Sequence, residues 1–271
     1  MSEADLLSVA QALALARQLG VERGDAQTWL AHVTGQGRAW LITHDDAPLP
    51  AVAAQGLQRL AAGEPLAHLT GWQSFHGLDL RVTPDTLIPR PDTETLVDWA
   101  LELLADLPGQ PRVLDLGTGS GAIALAIKAA CPRTEVCAVD LSAAALAVAR
   151  GNGQRLGLAV EWQQGSWFQP LAGRRFELIV SNPPYIAGDD PHLPALRHEP
   201  RGALTPEGDG LADLRHLAAQ APSHLAPGGW LLMEHGWDQG PAVLQLLGQA
   251  YQQVQTRQDL GLRDRVTGGH C

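Results

Sequence analysis

The sequence is poor in the residues that several protein classes depend on. Its three cysteines, Cys131, Cys137 and Cys271, form no CxxC pair, which argues against a disulfide framework or a thiolate zinc site. The ten histidines are scattered. His192 and His198 come nearest to a cluster, but no set of acids or cysteines completes a ligand count, so no metal is expected. Lysine is almost missing: Lys128 is the only one among nineteen basic residues, and the net charge is -10. That balance disfavours a protein that grips a long run of phosphates by counterion release, although a local basic patch can still serve. No uninterrupted apolar run reaches about 18 residues, so no membrane span is expected. The first twenty residues set Glu3, Asp5 and Arg17 on an alanine/leucine pattern. They lack the basic start, apolar block and cleavage site of a signal peptide, so the expected location is the cytoplasm.

What is present is ample core material. The 271 residues are 45% hydrophobic and 18% charged, enough for one large domain or a standard domain plus a small one. Residues 1–70 read as helices. "ADLLSVAQALALARQLG" spaces Leu6, Leu7, Ala10, Leu13, Ala14 and Leu19 helically. "DAQTWLAHVTG" predicts a second helix with Asp25 as N-cap and Gly35 as stop, "RAWLITH" a short third, and "LPAVAAQGLQRLAAGEP" a fourth. A small helical bundle of this kind is more often a recognition or packing module than a catalytic one. Residues 71–85 change period: Leu78, Leu80 and Val82 alternate with Asp79 and Arg81, as in a β-hairpin linking two domains. "PDTE" then opens an amphipathic helix with acids in its first turn, where the helix dipole favours them.

From residue 112 strands and helices alternate: "RVLDLG", "GAIALAIKAA", "EVCAVD", a helix capped by Ser142, "AVEWQQG", "RFELIVSN", "GLADLRHLAAQAPSHL" and "GGWLLMEHG". Repeated strand–helix units predict an α/β, doubly wound parallel sheet over 86–271, closed by an antiparallel pair in the tail. In such sheets ligands bind beyond the carboxyl ends of the strands, which makes "DLGTGSG", "AVD", "QQGSW" and "SNPPY" the candidate site positions.

Gly117, Gly119 and Gly121, with Thr118 and Ser120 between them, remove side chains where a strand turns into a helix. Bare backbone and free N–H groups can then approach a ligand closely. Gly117, Gly119 and Ala122 also satisfy the GxGxxA dinucleotide fingerprint, so glycine spacing alone leaves NAD open. Two acids tilt the choice. Asp115 precedes the first glycine, where it suits an ammonium group and would oppose a pyrophosphate. Asp140 ends the next strand, 23 residues after Gly117, where it can accept from both ribose hydroxyls. An amino-acid end, a ribose and no phosphate describe S-adenosylmethionine. Trp167 is placed to lie against an adenine face, with Ser166 at its edge; core packing is the competing role for one of eight tryptophans.

The stretch "SNPPYI" ends a buried strand. Asn182 offers a side-chain carbonyl and Pro183 a backbone carbonyl, while neither Pro183 nor Pro184 adds an N–H donor. Fixed proline φ angles hold the acceptors, and Tyr185 supplies a flat face. Two acceptors and a ring suit a planar group bearing an NH₂, either a side-chain amide or the exocyclic amine of a base. The local motif leaves a nucleic-acid methyltransferase acting on a flipped base, and a non-catalytic binding protein, as competing readings.

The chain resembles the amino methyltransferases that act on planar NH₂ groups, and most closely the HemK/PrmC-type release-factor glutamine methyltransferases. The resemblance rests on "GEPLAHLTGWQSFHGLDLRV", "LIPRPDTETLVDWAL", "VLDLGTGSGAIALAIK", "AVDLS", "IVSNPPYI", "DPHL", "RHEPRGAL", "GGWLLMEHG" and "DRVTGG". It implies a doubly wound S-adenosylmethionine-dependent methyltransferase domain over 86–271, a connecting hairpin, and a helical domain over 1–70 that helps recognise a release factor. It implies methylation of the glutamine of the GGQ motif in peptide chain release factors, with S-adenosylhomocysteine as product and no direct nucleic-acid substrate. By resemblance, Gly117 to Gly121, Asp140, Trp167 and Asn182 contact the cofactor, and Asn182, Pro183, Pro184 and Tyr185 hold the glutamine amide. In "IPRPDTE", Arg90 and Glu94 are expected to shape the site near the methionine end.

Overall fold

The computed structural model describes residues 6–271. The chain divides into two compact units, Met1–Trp72 and Gln73–Cys271. In the first, α1 (Val9–Gln18), α2 (Arg23–Thr34) and α4 (Val52–Ala61) pack on one another, with α3 (Arg38–Thr43) and α5 (Leu66–Thr70) on α2 or beside it. Leu30, Leu41, Leu49 and Leu57 are fully buried among them. The period of the sequence places these helices well but misplaces two starts. Ser8 and Gln11 form a reciprocal capping box, so α1 begins at Val9 and leaves Leu6 and Leu7 outside. Ala4 and Asp5, read as part of that helix, lie outside the described residues. The N-cap of α2 is Glu22, and Asp25 sits in its first turn instead, where the helix dipole still favours a carboxylate. Gly35 closes α2 in the left-handed conformation as expected.

From Gln73 on, the second unit opens with a hairpin, whose strands are β1 (Trp72–Phe75) and β2 (Leu78–Arg81). Its two-residue turn is His76-Gly77, both at positive φ, as a type I′ turn requires. Glu94 Oε1 accepts from His76 N at 2.8 Å. This pins the turn to α6 (Glu94–Ala105), which the 3₁₀ turn Pro91–Thr93 introduces.

The remaining strands form one seven-stranded sheet in the order β5-β4-β3-β6-β7-β9-β8. They are β3 (Arg112–Leu116), β4 (Glu135–Asp140), β5 (Glu161–Gln164), β6 (Phe176–Ser181), β7 (Leu225–Glu234), β8 (Gln252–Gln258) and β9 (Asp264–His270). β5, β4, β3, β6 and β7 run parallel, and β9 and β8 add the antiparallel edge. The helices are α7 (Ala122–Ala130), α8 (Ala143–Leu156), α9 (Ala212–Gln220) and α10 (Gly240–Leu247). Ser142 caps α8 through Ala145 N, as the sequence predicts. Both faces of the central strands are covered. Val113, Leu178 and Val180 enter a core with α6 and α7, whereas Leu114, Leu116 and Ile179 enter a second core with Leu214 and Leu217 of α9. Burial on both faces is why these strands read as continuous apolar runs. Chain order reverses between β3 and β6, which opens the crevice beyond their carboxyl ends. Among the described residues no helix is long and apolar enough to cross a membrane.

Candidate active site

A cavity of about 510 Å³ lies at those strand ends, a size that suits a small molecule. Gly117, Gly119, Asp140, Ser166, Trp167, Asn182 and Pro184 line it. The sequence did not point to several other lining groups: Asp85, Thr86 and Leu87 from the segment after β2, Pro200 to Ala203 in part, and Asp213 on α9. Asp115, Thr118, Ser120, Gly121, Pro183, Tyr185 and Arg90 are absent from that wall.

The glycine loop is made by backbone conformation. Gly117, Gly119 and Gly121 have φ of +73°, +57° and +84°, values that a side chain would strain. Gly117 N and Thr118 N both donate to Val139 O, at 2.9 and 3.0 Å, which ties the loop to the end of β4. Asp140 holds it from the other side. Its Oδ2 accepts from Gly119 N at 2.8 Å and its Oδ1 from Ser142 N at 2.8 Å. Each carboxylate oxygen therefore retains a lone pair beside the cavity. Asn152, fully buried on α8, braces the loop from behind. Its amide nitrogen donates to Ser120 O and Arg81 O, and Arg81 N donates to its carbonyl.

Asp115 is fully buried beneath the loop. Its Oδ2 accepts from Thr118 Oγ1 at 2.6 Å and Ala124 N at 3.2 Å, while Oδ1 has no partner. Burial pushes its pKa up to about 7, against the pull of those two bonds. Trp167 ends the wall formed by β5. It adopts a left-handed φ of +47°, and its ring packs against Gly117, 3.4 Å from where a β-carbon there would stand.

Asn182 follows β6, directly beside β3, because Ser181 is in register with Leu116. Asn182 Nδ2 donates to Thr93 Oγ1 at 3.2 Å. One N–H of the amide is thus engaged, and the residue lines the cavity. Pro183 is buried and Pro184 lines the wall. Tyr185 differs from its expected placement as a flat cavity wall. Its hydroxyl donates to Glu234 Oε1 at 3.1 Å, and its carbonyl accepts from Gln239 Nε2 at 2.9 Å. Gly210 lies so close to that carbonyl that a β-carbon would stand 2.3 Å from it.

Arg90 and Glu94 are both held by partners within the protein. The Arg90 guanidinium pairs with Glu199 Oε1, and Ile88 N donates to Glu199 Oε2 at 2.9 Å. Glu199 is itself buried, so this pair secures the strap that carries Asp85 to Leu87. Glu94 is occupied by the hairpin turn. Glu234, 1% exposed at the end of β7, is a functional candidate that the sequence reading missed. Burial pushes its carboxyl up to about 7, opposed by the Thr93 and Tyr185 hydroxyls and by Arg265.

Comparison with known proteins places this geometry. The model of the "Methyltransferase small domain" matches residues 94–259, and that of the "PrmC N-terminal domain" matches residues 5–71. The release factor glutamine methyltransferase of Bordetella pertussis is 52% identical over 259 residues, 93% of this chain and 96% of that protein. That of Escherichia coli K12 is 47% identical over 256 residues, 91% of each. The crystal structure of a methyltransferase from Pyrococcus furiosus shares the fold, with a TM-score of 0.55 at 18% identity over 80% of this chain and 98% of that one. With close to half of its residues identical along nearly its whole length, this chain belongs to the release factor glutamine methyltransferase family.

Proposed function

We propose that this protein transfers a methyl group from S-adenosylmethionine to the side-chain amide nitrogen of the GGQ glutamine in a peptide chain release factor. The observation that carries this reading is the placement of Asn182: its side chain lines the cavity and its amide nitrogen donates to Thr93, and the acceptor role proposed for its carbonyl is consistent with that bond. The cavity fits the cofactor. Asp115 Oδ1, buried without a partner, is the group that an ammonium would satisfy. The free lone pairs of Asp140 suit ribose hydroxyls, and Trp167 with Ser166 suits an adenine. S-adenosylmethionine supplies an electrophilic methyl on a sulfonium when bound.

An amide nitrogen is a poor nucleophile because its lone pair is delocalised. Asn182 Oδ1 and the Pro183 carbonyl accept from its two N–H groups. They favour a directed lone pair and stabilise the positive charge that grows on nitrogen. Preorganised contacts of this sort are worth about 10²–10³-fold each. No base need act before attack, since the proton is lost afterwards. The rigid Asn-Pro-Pro backbone makes the acceptors available without reorganisation.

The N-terminal unit, matched by the PrmC N-terminal domain model, is the proposed recognition module for the release factor, and the cytoplasm the proposed location. The excess of acidic residues weighs against a nucleic-acid substrate. The test is mass spectrometry of a release factor after incubation with enzyme and S-adenosylmethionine, with DNA and RNA as parallel substrates. One added methyl on the GGQ glutamine is expected. Incorporation into nucleic acid alone would overturn the reading.

A further inference from the structure

We propose that Glu199 is a positioning residue for the cofactor: through Arg90 and the Ile88 amide it joins the two loops that line the cavity beyond the strand ends, so that the site is assembled before S-adenosylmethionine arrives. The inference rests on the cofactor named above. It gives a role to "RHEPRGAL", a stretch that the proposed reaction leaves unused.

Two segments line the cavity without belonging to the sheet. Asp85, Thr86 and Leu87 follow β2, and Pro200, Gly202 and Ala203 lie between β6 and α9. Each is tied locally. Thr83, Asp85 and Thr86 bond to one another, while Ala203 N and Leu204 N donate back to Pro200 O and Arg201 O at 2.9 and 3.0 Å. Glu199 joins the two. Its Oε2 accepts from Ile88 N at 2.9 Å, and its Oε1 pairs with the Arg90 guanidinium. The carboxylate therefore grips the chain directly after Leu87, and its own residue directly precedes Pro200. The other end of this stretch is fixed as well: Leu204 O accepts from Ile186 N at 3.0 Å, one residue past Tyr185. Glu199 to Leu204 thus forms a buckle between "IPRP" and the chain that leaves Asn182 to Tyr185.

The Glu199 side chain is 2% exposed and that of Arg90 36%. A buried carboxylate needs its partners, whereas Arg90 can turn to water. A neutral amide at position 199 cannot serve both neighbours. Its carbonyl can face Ile88 N or Arg90, and its NH₂ then opposes the other donor. The joint loses a hydrogen bond to a charged group, which shifts an equilibrium about tenfold or more. Among the described residues neither loop contributes a side chain to the two cores of the sheet, so parting the loops leaves the fold in place. A site assembled only part of the time binds with its intrinsic Kd divided by the assembled fraction. Bound cofactor favours the assembled state, so the defect shows in Kd and vanishes at saturation.

The experiment is calorimetry with S-adenosylmethionine on the full chain, together with kcat on a release factor at saturating concentrations of both substrates. Glu199→Gln is expected to raise Kd about tenfold, keep the circular dichroism spectrum unchanged and hold kcat within about threefold. A fold defect would instead lower the number of active molecules, and with it kcat, at an unchanged Kd. Arg90→Met leaves the Glu199 charge buried with one partner, so its Kd should rise at least as far. The double variant should then bind no more weakly than the worse of the two single ones. If Glu199→Gln does not fold, Glu199→Asp, whose shorter arm keeps the charge but cannot span both partners, is expected to show the same split between Kd and kcat. An unchanged Kd, a kcat deficit that persists at saturation, or losses that multiply in the double variant would overturn the inference. No binding of S-adenosylmethionine by the unaltered protein would overturn the cofactor reading instead, and this one with it.

Discussion

Asp115→Asn is expected to strengthen the ligand-free fold at alkaline pH and to weaken cofactor binding at the same time. Asp115 ionises near 3.8 when exposed and near 7 when buried in the fold. Between those values the unfolded chain releases a proton that the native protein keeps, so stability falls as pH rises and levels off above about 7. At about 1.4 kcal/mol per pH unit the full penalty is about 4 kcal/mol. Asparagine carries no such penalty. Its carbonyl can replace Oδ2 toward Thr118 and Ala124, and its NH₂ then occupies the unpartnered Oδ1 position. A buried unpaired amide costs about 1–3 kcal/mol, which leaves a net gain of about 1–3 kcal/mol at pH 8. The same NH₂ opposes an ammonium. Loss of a charge-assisted bond worth about 1.5–3 kcal/mol predicts cofactor binding weaker by at least tenfold. Urea unfolding from pH 4 to pH 9, without and with S-adenosylmethionine, measures both effects. The advantage of the variant over the unaltered protein should grow by about 3–4 kcal/mol between pH 4 and pH 8, and ligand should stabilise the variant less. A constant difference across that range, or equal stabilisation by ligand, would refute the reasoning.

Three further outcomes are expected. Asn182→Ala should lower kcat by about 10²–10³-fold with an unchanged circular dichroism spectrum; wild-type turnover would remove the acceptor from the mechanism. Asp140→Ala should weaken cofactor binding chiefly, by tenfold or more for the loss of at least one hydrogen bond to a charged group, about 1.5–3 kcal/mol; calorimetry checks it, and unchanged affinity would exclude the ribose assignment. Gly210→Ala places a β-carbon 2.3 Å from the Tyr185 carbonyl at a φ of +76°, so a melting temperature lower by several degrees and reduced kcat are expected; wild-type values in both would show that the Tyr185 backbone is not held there.

The succession of strands and helices and the antiparallel pair that closes the sheet were legible because burial on both faces writes apolar runs, and because glycines and prolines punctuate them. That Asp140 and Asn182 line the cavity was legible for a related reason: ligands of such sheets bind beyond the carboxyl ends of the strands. What stayed hidden is contact between distant segments. Thr93 meets Asn182 across 89 residues, and Tyr185 meets Glu234 across 49. Nothing in "PDTE" or "LLMEHG" marks those partners. The partner of Arg90 was hidden for the same reason, since Glu199 is 109 residues away. The first helix began late because a Ser8–Gln11 cap outweighs two more apolar residues on the same period.

Asp140 ties Gly119 N and Ser142 N with one carboxylate. In the proposed reading the same group receives the ribose. The amides of Gly119 and Ser142 then share one carboxylate with the ligand. Their hydrogen exchange should slow together when S-adenosylmethionine binds, and Asp140→Ala should uncouple them. The carboxylate would act as a rivet through which occupancy is felt by the loop and the helix at once.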